Sequence, residues 1–164
     1  MAVLTDLLDR INRRVDRFLY RGGRPHLTAR MVNAATARFF ARGFLTQPEW
    51  VTLEVRGRRS GHPVALPVAV PEIAGERYLV SMLGERAQWP RNVRAAHGHA
   101  TLVHGSREPV LLAEVDPAAR PAIIKEYLRI APGARAHIPV DHRAPVADFE
   151  AVAAQLPVFR VVPL

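Results

Sequence analysis

Arg58, Arg59 and Ser60 stand side by side between Gly57 and Gly61, in the stretch "VTLEVRGRRSGHPVALPV". Glycine suits the backbone of a tight turn, but a turn has no need of two adjacent arginines. Two guanidiniums, one hydroxyl and exposed turn amides can jointly bind a phosphate or carboxylate, because arginine offers a rigid fork of donors. A solvated basic hairpin tip is the plainer alternative. Further along, "LVSMLGERAQWPRNVRAA" brings a strand end, Gly84 and then a helix with Trp89 and Asn92. A strand end, a helix start and an indole make a ledge for a flat ring. Ordinary core is the alternative for Trp89.

Other chemistries find less support. His97 and His99 flank Gly98 with His104 nearby, but no carboxylate joins them at a metal-ligand spacing, so no metal site is expected. Ser60, Ser81 and Ser106 lack the G-x-S-x-G elbow of a serine hydrolase. Neither a Walker loop nor a G-x-G-x-x-G between strand and helix is present. The chain has no cysteine, which excludes disulfides and thiolate chemistry.

The elements that must position these residues follow from their periodicity. Val51, Leu53 and Val55 alternate with Thr52, Glu54 and Arg56, as in a strand with two unlike faces. "GRRSG" turns the chain into "PVALPVAV", where Pro67 marks an edge, a bulge or a place where a ligand meets the backbone. "EIAG" is expected to turn again, into a strand "ERYLVSM". A short helix follows over "GERAQWPRNVRAAHG", then a hairpin of "HATLVHG" and "EPVLLAEVD" around "GSR". Asp116 caps and Pro117 opens a helix carrying Ile123, Ile124, Tyr127 and Leu128. A proline-broken loop, a short helix from Val146 to about Gln155 and a strand "PVFRVV" complete the order. Hairpins without repeated βαβ units point to a small antiparallel barrel with helices outside it.

Before the barrel, Val3 to Tyr20 has helical apolar spacing and a basic polar face, and Thr28 caps a second helix. This extension, residues 1–46, is expected to pack on the barrel of residues 47–164, with peripheral membrane contact as its alternative role. The net charge of +8 is carried almost wholly by arginine, Lys125 being the only lysine, and no nucleic-acid motif accompanies it. Nucleic acid is therefore not an expected partner. Shares of 49% hydrophobic and 23% charged residues suit a globular chain, and the lack of cysteine and of any apolar run near the ~20 residues of a membrane span leads to a cytoplasmic location as the expectation.

Taken together, the strand before "GRRSG", Pro63, "LPV", "LVSMLG" and "W..NVRAA" resemble the deazaflavin-dependent nitroreductase family of flavin/deazaflavin oxidoreductases. The resemblance runs from about Trp50 to Leu164. It implies an α+β fold, a split β-barrel of mostly antiparallel strands, and the cofactor coenzyme F420, an 8-hydroxy-5-deazaflavin. Arg58, Arg59 and Ser60 would then hold the cofactor's phosphate and acidic tail. Pro67 would border the deazaflavin, Ser81, Met82, Leu83 and Gly84 would line its other edge, and Trp89 with Asn92 would close the site.

The resemblance also implies that "YLRIAPGARAHIPVDHRAP" covers the substrate side, where Tyr127, His137 and His142 are the available proton donors. His137, in a loop, ranks first. The expected activity is hydride transfer to a conjugated small molecule such as a quinone, enone or nitro compound, in a chain that is monomeric or a homodimer. The compact "LGERAQ", Val64 and Leu66 depart from the family pattern. They leave open a split-barrel binding or cyclising protein without redox turnover, and FMN or haem as less favoured ligands.

Overall fold

Alternation in β1, Trp50–Arg56, sends Val51, Leu53 and Val55 to one face of a sheet and Trp50 and Thr52 to the other. The structure, a computed structural model, describes residues 49–164. The expectations for the two N-terminal helices and their membrane contact lie outside the described residues. The other strands are β2 (Pro63–Ala69), β3 (Glu72–Ile73), β4 (Glu76–Val80), β5 (His99–His104), β6 (Ser106–Glu114) and β7 (Val158–Pro163). They form a seven-stranded sheet in the order β2-β1-β5-β6-β7-β4-β3, antiparallel at every pairing. Although far apart in that order, β2 and β4 approach each other, so the sheet curls into a split barrel.

Each face of the curled sheet has its own core. Inside, Leu53, Leu79, Val110, Leu112 and Phe159 close beneath Trp89 and Val93 of α1, Gln88–Ala95. Outside, Tyr78, Val80 and Val158 pack on Ile123, Ile124, Tyr127 and Leu128 of α2, Arg120–Ile130, together with Phe149. As expected, Asp116 begins the second helical region: its Oδ1 accepts from the Ala118 amide at 2.9 Å, with Pro117 opening a 3-10 turn before α2.

Several boundaries differ from the sequence reading. "EIAG" is not all turn: Glu72 and Ile73 pair with Arg77 and Glu76, and Ala74 and Gly75, at φ 52° and 79°, make the reversal alone. β4 stops at Val80, which puts Ser81 and Met82 in the following turn. The "GERAQWPRNVRAAHG" helix is split into a 3-10 turn at Gly84–Arg86 and α1, because Ala87 is extended. Gly105, at φ 72°, turns the β5–β6 hairpin with His104 opposite Ser106, so Ser106 and Arg107 already belong to β6. The helix expected from Val146 is a 3-10 turn followed by α3, Glu150–Ala153.

Pro67, opposite Thr52, lies on β2 at one edge of the described sheet, where a missing N–H does least harm. The other edge is the two-residue β3. Among the described residues no helix is long and apolar enough to cross a membrane.

Candidate functional site

The β1–β2 tip closes through its own backbone: the Gly57 amide donates to the His62 carbonyl at 2.9 Å and the Gly61 amide to the Gly57 carbonyl at 2.8 Å. Gly61, at φ 70°, allows that bend. Arg58 then pins the tip to α1. Its amide and Nη1 donate to Asn92 Oδ1 at 3.3 and 3.0 Å, and its Nη2 donates to Gln88 Oε1 at 2.9 Å. Asn92, only 5% exposed, thus has its carbonyl oxygen committed to the tip. Ser60 Oγ accepts from the His62 amide at 3.3 Å. Arg59 is exposed and makes no hydrogen bond or ion pair among the described residues. A guanidinium carries five N–H donors, so Arg58 keeps capacity beyond its two side-chain bonds. An anion at this tip would meet Arg59 unencumbered and Arg58 held in place.

The turn after β4 is built differently. Ser81 is fully buried, and its Oγ donates to the Gly84 carbonyl at 2.9 Å while the Gly84 amide donates back to the Ser81 carbonyl at 2.9 Å. The Ser81 amide reaches the Pro157 carbonyl at 2.9 Å, docking the turn on the chain that follows α3. Gly84 lies at φ +61°, and a Cβ there would stand 2.6 Å from the Gln155 carbonyl oxygen. Beside this contact lies a cleft of about 390 Å³. Met82 to Arg86 form one wall, and His137, Pro139, Val152, Gln155 and Leu156 the other. The volume is that of a small-ligand pocket.

The structure therefore brings Arg58 together with Asn92, and Met82, Leu83 and Gly84 together with His137. Trp89 is in the inner core, 9% exposed, its ring centroid 5.4 Å from that of Phe159. Tyr127 is buried in the outer core. His142 is half-buried, with Nδ1 3.5 Å from Asp141 Oδ1. Among the described residues no group of His, Asp or Glu is placed to hold a metal ion.

From Glu85, which lines the cleft, runs a chain of charges that the sequence reading missed. Arg94 Nη1 and Nη2 donate to Glu85 at 2.8 and 2.7 Å, and its Nε and Nη2 donate to Glu114 at 2.8 and 2.7 Å. Glu114 Oε1 lies 3.5 Å from Nη2 of Arg120. Arg120, 6% exposed, donates to the carbonyls of Val115 at 2.8 Å, Ala153 at 3.2 Å and Leu156 at 3.1 Å. The hydrogen bonds from Arg94 hold the Glu85 carboxyl below the usual carboxylate range, and those to Glu114 and Glu85 raise the Arg94 guanidinium. One signal for Arg120 was available: a cation in the first turn of a helix opposes the helix dipole and needs another reason to be there.

No protein-family model matches the chain, and no curated protein matches it. Solved structures do. The protein Atu2129 of Agrobacterium tumefaciens is 14% identical with a TM-score of 0.51, the match covering 84% of this chain and 57% of that one. The conserved protein Rv2991 of Mycobacterium tuberculosis is 15% identical with a TM-score of 0.50, covering 79% of each chain. An F420-H2 dependent reductase, FDR-A, is 20% identical with a TM-score of 0.46, covering 70% of this chain and 94% of that one. At these identities the first two matches show a shared fold and nothing finer.

Proposed function

We propose that the chain is a reductase that uses coenzyme F420, with FMN as the second choice, and passes a hydride to a conjugated small molecule. Arg59 carries the reading: it is a cation without a partner among the described residues, beside an Arg58 already fixed by Asn92 and Gln88. That donor set suits a phosphate or acidic tail. When bound, the cofactor would supply the hydride; the protein would bind it, orient it and exclude water. Ser81 would act by holding its own turn, since its hydroxyl is given to Gly84. Met82 and Leu83 would offer an apolar wall of the cleft to the deazaflavin's edge, with the acceptor beside it. His137, on the opposite wall, would donate a proton to the reduced product, a role imidazole can fill near neutral pH.

Titration of the purified protein with F420, following the cofactor's fluorescence, tests the anion site. Arg59→Ala should weaken binding by about 1.5–3 kcal/mol, the range for a hydrogen bond to a charged group. An unchanged dissociation constant would remove Arg59 from the site. Reduced F420 should then be oxidised by quinones, enones or nitroaromatics faster with the protein than without it. The second reading is a split-barrel binding protein without redox turnover. It is favoured by Trp89, whose indole packs on Phe159 in the inner core. Tight F420 binding with no acceptor oxidising the reduced cofactor would decide for it.

A further inference from the structure

The two walls of the cleft belong to segments far apart in sequence, and only a short turn and a four-residue helix form their nearest edges. The Gly84–Arg86 turn and α3 are each too short to hold shape unaided, since a first helical turn costs more order than its hydrogen bonds return. Both are gripped by charged side chains. Arg94 holds the turn through Glu85, and Arg120 holds the end of α3 through the Ala153 and Leu156 carbonyls. Glu114, from β6, faces both arginines. A cation at the carbonyl end of a helix also suits its dipole.

From these contacts we infer that Glu85, Arg94, Glu114 and Arg120 form one ionic relay that sets the spacing of the cleft walls, with Glu114 and Arg94 as positioning residues for whatever the cleft receives. Neither lines the cleft itself: Arg94 bonds the lining residue Glu85, and Glu114 reaches the lining residue Leu156 through Arg120. The relay also ties the cleft to the inner core, because the Arg94 guanidinium lies 5.9 Å from the Phe159 ring centroid. Strand β6 thereby becomes the fixed reference against which both short segments are held. The relay itself stands on the contacts alone, whereas its catalytic consequence rests on the reductase reading.

Glu114→Gln keeps the shape of the side chain and removes its charge, so it breaks the middle of the relay while the fold persists. Amide hydrogen exchange reads local opening directly. The Gly84, Ala87, Gln155 and Leu156 amides, all bonded within the two walls, should exchange roughly tenfold faster, as expected for a loss of about 1.4 kcal/mol in local closure. Strand amides at Leu53 and Leu79 should not change. Glu54→Gln, which breaks the separate Arg107 pair, should leave all of these amides as they are. With reduced F420 and 2-methyl-1,4-naphthoquinone, Glu114→Gln should raise KM for the quinone while kcat moves less. Unaltered exchange at the wall amides, or acceleration spread evenly over the strands, would overturn the relay. Faster wall exchange in a protein whose wild type binds no F420 would uphold the relay and sink the cofactor reading.

Discussion

At Gly84 two constraints coincide: φ is +61°, and a Cβ would stand 2.6 Å from a backbone oxygen of Gln155. Gly75 supplies the natural comparison, since φ there is +79° but nothing lies within 4 Å of a Cβ. Gly75→Ala should cost only the strained conformation, about 1 kcal/mol. Gly84→Ala should add the displacement of one backbone segment by another, for a total of about 3 kcal/mol or more. Urea denaturation of the two variants checks this, and equal midpoints would mean that the close approach is not limiting. The two glycines look alike in sequence, because a positive φ can be guessed from a turn but a contact 71 residues away cannot. The same limit applies to Ser81, whose hydroxyl donates within its own turn, a bond that no spacing in the sequence announces. The "GRRSG" tip was more legible, since its glycines and arginines are neighbours in sequence as well as in space.

Elements with strong periodicity were readable, and those set by tertiary contact were not. The alternation of β1 and the Ile123, Ile124, Tyr127, Leu128 spacing of α2 each declare a buried face locally. β3 has two residues, too few for a period, and exists because Ala74 and Gly75 fold it onto β4. α3 was expected as part of a longer helix, since Glu150, Ala151 and Ala153 favour one, but its four-residue extent was not, and the Ala153 and Leu156 carbonyls at and beyond its end are taken by Arg120. Arg120→Met should therefore leave three buried or half-buried carbonyls short of a donor. At about 1–3 kcal/mol for each unsatisfied group, the loss should reach roughly 3 kcal/mol or more. Thermal unfolding of the variant provides the check. A melting temperature within a degree or two of wild type would show that water replaces the guanidinium without loss.

Across the whole molecule, acidic stability rests on carboxylates paired with arginines on different elements. Hydrogen bonds from Arg94 and Arg77 lower the Glu85 and Glu108 pKa values, respectively. A depressed folded pKa contributes stability above the unfolded value of about 4.3, and that contribution is lost as pH falls through the lower folded value. Melting temperature should thus fall below pH ~4, and Glu85→Gln/Glu108→Gln should flatten that fall; both pairs are partly solvated, so screening limits its size. An acid limb as steep as wild type would exclude these pairs as its source. The margins of the sheet carry a different consequence. Pro63 and Pro67 share one side of β2 by their even separation, so along this edge of the described sheet an incoming chain would find two N–H donors missing. At the far margin β3 is too brief to template anything. Heated or concentrated, the molecule should resist fibril growth by lateral strand recruitment, even with the apolar Val64 exposed between those prolines. Pro63→Thr/Pro67→Thr would restore those donors and should shorten the lag before amyloid-dye fluorescence rises; equal lag times would show that the prolines serve no such guard.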